Sequence, residues 1–431
     1  MRCILGLLSI VTLSLVAEVD YVFVVTEDSY EVVNVQTQTV TTLKSFPLLY
    51  NNFDTTLAIS ENGAVASISG AGGVQIFDPT NIANAVTFNP ELATPWNGSI
   101  SADGKTACFS YSNEQNVSAV SVDNLFVWSS QIFGFRAVQI ANNGAFICGV
   151  GEGESSPIQS VPLQIFPLGS NTTKVVTYPD RSKANVFTFF ISEDSSKIYA
   201  ILSTTSVTEW PIVIINPQTG FIEKTIIIPA PVNGVPYRII ANSENDKLAL
   251  TVRPFPSPNN DKQIWIVDLN NPLSPIQAPQ TFTGNGYGVL GRMSFSKDGN
   301  TLFAFYDDQL NAVYNLYKID TDANTTTLIQ TFSSLIRSIA SITTSVEGTT
   351  SKYQTTWQTN YFNLIRWDPV FSPAQFLIYR NQELIATVPG TDRSFNDPYL
   401  EPKTGYTYEV IAVENGGSQL NIGKTTIVTS S

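Results

Sequence analysis

The feature that most restricts the fold is a polar turn that recurs along the chain. Ser296-Lys297-Asp298-Gly299-Asn300-Thr301 lies between two short aromatic, β-rich runs, the local pattern of a hairpin joining antiparallel strands. The same slot is filled by Ser60-Glu61-Asn62-Gly63, Ser101-Ala102-Asp103-Gly104, Ala141-Asn142-Asn143-Gly144, Ser192-Glu193-Asp194-Ser195 and Ser243-Glu244-Asn245-Asp246. Six copies at intervals of about 40 to 54 residues indicate one repeated four-stranded unit, and a period of that size belongs to propellers and solenoids.

A second repeated turn counts the units. Val33-Asn34, Phe77-Asp78, Val122-Asp123, Phe166-Pro167, Ile215-Asn216, Val267-Asp268 and Ile319-Asp320 each close an apolar run with a turn-forming residue. Seven turns of this kind stand against six of the first. The difference is accounted for if Tyr21 to Leu43 supplies three strands of one blade and Ser338 to Thr343 its innermost fourth. Closing a ring with strands from both ends removes free sheet edges. The expected fold is therefore all-β: a seven-bladed β-propeller over residues 18–345, closed by strands from both ends of the ring.

Composition removes whole classes of function. The chain has no histidine, which excludes Ser-His-Asp and Cys-His catalysis, His-ligated metals and a histidine pH switch. Its formal charge of −13 repels phosphates, so a nucleic-acid partner is not expected. Residues 1–17 read as a secretory leader, with Arg2 before an apolar run from Ile4 to Val16 and Ala17 at the cleavage position, the alternative being an uncleaved anchor or a buried strand. The expected localisation is exported: secreted, periplasmic or cell-surface, with no transmembrane segment beyond the leader. Cys108 and Cys148 each lie four residues after a turn glycine, hence at equivalent places in neighbouring blades. Packed sheets are about 10 Å apart and a disulfide needs Cα atoms within about 7 Å, so two buried free thiols are expected.

Runs such as Ser296-Lys297-Asp298-Gly299-Asn300-Thr301-Leu302-Phe303 and Ile319-Asp320-Thr321-Asp322-Ala323-Asn324 resemble the repeats of bacterial YVTN-type and WD-repeat-like seven-bladed propellers, over roughly residues 20–345. The Trp-Asp dipeptide and Gly-His pair of WD repeats are absent, so the resemblance implies the fold and not an activity. After a Ser/Thr/Gly linker, 346–358, residues 359–431 resemble a fibronectin type III β-sandwich. Leu364-Ile365-Arg366-Trp367-Asp368-Pro369 matches the strand with the core tryptophan, and Leu400-Glu401-Pro402-Lys403-Thr404-Gly405-Tyr406 the tyrosine corner. Trp367 and Tyr406 read as core, and no Arg-Gly-Asp is present.

Candidate site residues follow from blade geometry. Loops entering the innermost strand and loops joining the second to the third strand emerge on one face, where binding residues collect. The long loops there put forward Trp210, Arg253 and Phe255 as contacts for a sugar or peptide, with the plainer alternative that the aromatics only staple their own loops down. Arg136, Arg238, Arg292 and Arg337 lie at the starts of innermost strands, around the channel mouth, where guanidinium groups would hold a carboxylate, sulfate or phosphate; alternatively each docks a neighbouring blade through an acid. Glu152, Glu154, Asp307 and Asp308 could supply carboxylates for glycosidic cleavage, with solvation as the plainer reading. Asp320 to Asn324 starts like a calcium loop but has Thr325 where glycine is required, and reads as a hairpin turn. The expectation is an exported non-catalytic binding or adhesion protein for an extracellular protein or glycan, with no cofactor. The rivals are a propeller hydrolase or lyase and a structural component of an envelope or surface layer.

Overall fold

In the computed structural model the described residues are 15–45, 55–60, 65–70, 73–79, 81–88, 95–111, 116–122, 127–131, 135–151, 163–170, 172–176, 185–192, 194–203, 209–230, 232–242, 246–254, 262–282, 289–308, 311–354, 358–368, 373–413, 417 and 419–430. Among them every regular element is a β-strand, and no helix is long and apolar enough to cross a membrane. Six four-stranded antiparallel sheets follow one another, with innermost strands Thr56–Ile59, Pro95–Ile100, Phe135–Ile140, Asn185–Ile191, Gly234–Asn242 and Val289–Phe295. These are blades 1 to 6.

Blade 7 is assembled from both ends of the propeller. The strand Ile336–Gln354 is innermost and pairs with Leu15–Thr26, which pairs with Ser29–Asn34, which pairs with Thr39–Ser45. Period-two alternation then divides the second strand between two neighbours. Val22 and Val24 join Phe303, Phe305 and Leu316 of blade 6 in one apolar cluster. Tyr21, Phe23 and Val25 face the other way, with Leu57, Ile68 and Phe77 of blade 1. The remaining clusters repeat this arrangement, each lying between adjacent blades. The propeller therefore has a core distributed around its circumference.

The recurring turn is built from its own side chains. Ser101 Oγ donates to Asp103 Oδ1 at 2.7 Å and accepts the Thr106 N–H at 3.1 Å. The same pair of bonds recurs at Ser192, Asp194 and Lys197, and at Ser296, Asp298 and Thr301. Gly104, Gly144 and Gly299 have φ of +72°, +68° and +66°, the left-handed conformation that explains glycine in this slot. Successive turns also interlock around the ring. The Ala102 N–H donates to the Asn142 carbonyl at 3.0 Å, and Asn242 Nδ2 to the Ser296 carbonyl at 3.2 Å. Cys108 and Cys148 are free and fully buried, and burial pushes both thiols up.

The C-terminal unit is a β-sandwich, and its junction with the ring differs from the sequence expectation. The segment read as a linker, 346–358, is strand as far as Gln354, continuous with the innermost strand of blade 7. Its first half pairs with Leu15–Thr26 and its second half with Thr359–Asp368. Val346 and Thr350 are buried in alternation with exposed Glu347, and a Cβ on Gly348 would overlap the side chain of Ile427. A Ser/Thr/Gly-rich stretch looks like a linker only until its alternate residues find a sheet to cover. Residues 1–14 of the expected leader lie outside the described residues, while Leu15, Val16 and Ala17 pair with Thr426, Thr425 and Lys424 of the sandwich. One apolar cluster runs from Tyr21 and Phe23 through Val346 to Trp367, Phe376 and Tyr408, so ring and sandwich share a core. Trp367 stacks edge-on against Phe376 at 5.3 Å, and Tyr406 Oη accepts the Glu401 N–H at 2.9 Å, the bond expected of the tyrosine corner.

Candidate functional site

The innermost strands share a local irregularity that places the channel-mouth residues. In blade 3, Phe135 pairs with Gly151 and Ala137 with Val150, so Arg136 is an extra residue opposite no partner, a β-bulge. Trp96 occupies this place in blade 2, Phe187 in blade 4 and Tyr237 in blade 5. In blade 6 Gly291 and Arg292 together oppose Phe305, and in blade 7 Arg337 stands between the paired residues Ile336 and Ser338. Six consecutive blades thus carry a bulge near the start of the innermost strand. Arginines and aromatic residues share these positions. Bulges re-aim a side chain and gather near functional sites.

Of the four arginines read from the sequence, Arg136, Arg292 and Arg337 sit in bulges, whereas Arg238 lies just beyond one, paired with Thr251 and half-buried. The side chains of Arg136 and Arg292 lie outside the described residues. The aromatic members Trp96, Phe187 and Tyr237 were missed by the sequence reading. A signal for them exists: Trp96, Arg136 and Phe187 each lie four residues before the isoleucine that precedes the recurring turn, and Tyr237 four before Ala241.

Arg337 shows what a bulge residue does where its surroundings are described. It is 8 % exposed and forms an ion pair with Glu27, joining the innermost strand of blade 7 to the turn that follows the second strand. Close by, Asp307 Oδ1 accepts the Ile336 N–H at 3.3 Å. Burial pushes the Asp307 carboxyl up to about 8, and the Glu27 charge adds to this, against the opposing pull of the Ile336 N–H and the Arg337 guanidinium. Burial thus favours the protonated form of Asp307. Asp28 accepts hydrogen bonds from Ser334 and Thr26, and the first of these is the main cause that holds its carboxyl below the usual range. At this blade the arginine docks the ring's closing strands, the alternative that the sequence left open.

Two other expectations are corrected. Trp210 is not an exposed contact: it is the second residue of the strand Glu209–Ile215, 1 % exposed, with its Nε1–H donating to the Gly234 carbonyl at 3.0 Å. Its ring stacks edge-on with Trp265 at 6.2 Å inside the core between blades 4 and 5. A large apolar side chain next to a loop is drawn into the nearest inter-blade core. Asp307 and Asp308 are neither solvated nor a facing carboxylate pair: both are buried, and successive strand residues point to opposite sides; Asp308 is held by the Asn311 N–H at 3.2 Å and Nδ2 at 2.6 Å. Arg253 is exposed, on the strand Lys247–Pro254 beside Val235. Phe255, Glu152 and Glu154 lie outside the described residues. Asp320 Oδ1 caps its own turn through the N–H groups of Asp322 and Ala323, and Asn324 has φ +51°, consistent with a hairpin turn.

No protein-family model matches the chain, and no curated protein matches it. Among solved structures, the chain is similar to hydrazine synthase of Kuenenia stuttgartiensis, with 15% identity, 62% of this chain and 76% of that chain covered, and a TM-score of 0.47. It is also similar to the β-propeller domain of Cps50 (Swd1) from Myceliophteria thermophila, at 11% identity over 65% of this chain and 86% of that one, with a TM-score of 0.48. A chain of a nidogen/laminin complex aligns at 8% identity over 75% and 98%, with a TM-score of 0.40. At these identities and TM-scores the likeness says nothing of activity or partner.

Proposed function

We propose that this chain is an exported, non-catalytic binding protein whose channel mouth recognises an anionic extracellular ligand, a glycan or an acidic protein segment. The observation that supports this reading is the series of bulges in blades 2 to 6, with Trp96, Arg136, Phe187, Tyr237 and Arg292 at equivalent backbone positions near the starts of the innermost strands, while Arg337 at the corresponding bulge of blade 7 is engaged by Glu27. Guanidinium groups bind carboxylate and sulfate in a bidentate manner, and aromatic faces cover sugar rings. Arg253, exposed near the end of the second strand of blade 5, is a further candidate contact. The fibronectin type III-like sandwich acts as a spacer or second contact.

The test is a thermal-shift and calorimetric screen of the full chain against oligogalacturonates, sulfated oligosaccharides, a poly-glutamate peptide and their neutral counterparts. An acidic ligand is expected to raise Tm, and Arg136→Ala with Arg292→Ala to abolish that response while the fold is retained. Arg337→Ala is expected to lower Tm without ligand, by about 3 kcal/mol of stability, because Glu27 loses its buried partner. No response to any acidic compound, or an unchanged response in the double variant, would reject the channel mouth as the site.

A further inference from the structure

The outer face of the sandwich carries an aromatic platform that the core does not use. In the strand Thr359–Asp368, Asn363, Ile365 and Trp367 turn inward and are buried, so the alternate residues Asn360, Phe362, Leu364 and Arg366 point outward. Register then fixes their neighbours. On one side Glu347, Ser351 and Tyr353 of the strand Ile336–Gln354 pair with Arg366, Phe362 and Asn360. On the other side lies the edge strand Ser394–Leu400, in which Asn396 pairs with Leu364. Leu400 pairs with Tyr361 and Asp397 with Asn363, so Pro398 and Tyr399 together oppose Phe362, a β-bulge. Tyr353, Phe362 and Tyr399 therefore stand on three neighbouring strands of one sheet face.

Tyr399 is the member that the fold has least reason to keep. It is 79 % exposed, more than any other large hydrophobic residue described, and its φ is +59°. A left-handed backbone is unfavourable for any residue with a Cβ, and a ring so little buried does not offset that strain by packing. Glycine or asparagine would hold the same turn at lower cost. Tyr353 is also exposed, at 40 %. Among the described residues neither phenol takes part in a side-chain hydrogen bond or a ring contact.

The rest of the face indicates what the rings would meet. Ser351, Asn360 and Asn396 lie beside them, neutral donors and acceptors that make no side-chain hydrogen bond among the described residues. The charged residues on this face, Glu347 and Arg366, are of opposite sign and paired in register at the end away from Tyr353. The face thus has no net charge, in a chain whose formal charge is −13, and it selects neither an acidic nor a basic partner.

We propose that this face binds a neutral polysaccharide, with pyranose rings lying on Tyr399, Phe362 and Tyr353 and sugar hydroxyls bonded to Ser351, Asn360 and Asn396. A pyranose has an apolar C–H face and a rim of hydroxyls, the two kinds of surface this sheet presents. Hydroxyls both donate and accept, so they satisfy amides and serine alike, whereas a protein surface would have to match each group separately. The site is distinct from the channel mouth and its anionic ligand, and it makes the sandwich a second contact.

The test is calorimetric titration of the full chain with cellohexaose, xylohexaose, mannohexaose and laminarihexaose. At least one is expected to bind, with the same affinity at low and high salt because no charge is involved. Tyr353→Ala and Tyr399→Ala are each expected to weaken binding by about threefold to tenfold, the loss of one stacked ring. Tyr399→Asn should weaken it equally while keeping or raising Tm, since asparagine takes the left-handed backbone more readily, a result that a purely structural tyrosine would not give. Arg136→Ala with Arg292→Ala should bind these sugars as the wild type does, which separates this face from the channel mouth. The proposal is overturned if none of the sugars binds, if binding falls with salt or is lost in the arginine variant, if both tyrosine-to-alanine variants bind like the wild type, or if Tyr399→Asn lowers Tm. Concentration-dependent dimers abolished by Tyr399→Asn would also overturn it, since the occupant would then be a second copy of the chain.

Discussion

Replacing Asp307 by Asn should stabilise the protein, and by an amount that depends on pH. In the unfolded chain this carboxyl titrates near 3.8, whereas in the folded ring burial holds it near 8. Between those values the folded state keeps a proton that the unfolded state has released, so the native protein binds more protons and loses stability as pH rises. Each pH unit of this window costs about 1.4 kcal/mol, which reaches roughly 4 kcal/mol at neutrality as an upper bound. Above the folded value both states are ionised and the cost stops growing. Asparagine has the same shape, carries no charge, and retains an amide oxygen to accept the Ile336 N–H. Asp307→Asn should therefore match the wild type near pH 4, gain steadily through neutral pH, and level off above about pH 8. Urea unfolding of both proteins across this range, with the pH dependence of the difference as readout, decides the matter. A constant offset, or a variant less stable at neutral than at acid pH, would refute a protonated Asp307.

Other substitutions test other contacts, each by unfolding of the purified chain. Gly144→Ala should cost about 1 kcal/mol for its left-handed backbone, and Gly104→Ala more, because the added Cβ also meets Val65 Cγ2 of blade 1 at 2.9 Å. Equal costs would show that the turn of blade 2 has room to shift. Gly348→Ala should destabilise ring and sandwich together by about 1–3 kcal/mol, since the added methyl overlaps the buried Ile427. Loss of the sandwich transition alone in calorimetry would contradict a shared core. Trp210→Phe should cost about 1–3 kcal/mol for the bond to the Gly234 carbonyl and leave ligand binding unchanged, whereas a loss of affinity at equal stability would return Trp210 to the candidate site.

Turn chemistry and period-two alternation are local, and they made the architecture legible. Gly104, Gly144 and Gly299 mark turns because a left-handed φ favours glycine, although Ser195 and Asp246 take the same conformation in two copies, and the seven second-type turns counted the blades. The closing blade was legible for the same reason: three strands at one end and one at the other leave no further arrangement of seven units. The site was only partly legible. The arginines were found because they are rare in this chain, but the bulges that relate Arg136, Arg292 and Arg337 to Trp96, Phe187 and Tyr237 are departures from register, which depend on two strands at once.

What this sequence determined by itself is the repeat and its count, because turn chemistry and period-two alternation are set by residues close to one another in the chain, and the closing of the ring followed from that count. What only the tertiary structure decided is the use of particular side chains. Trp210 faces inward because the core of blades 4 and 5 lies beside it, and Arg337 is engaged because Glu27, 310 residues away in the chain, stands next to it. Gly348 belongs to a strand because Ile427 covers it. Burial and charge pairing are properties of neighbours brought together by the fold, and distance along the chain carries no record of them.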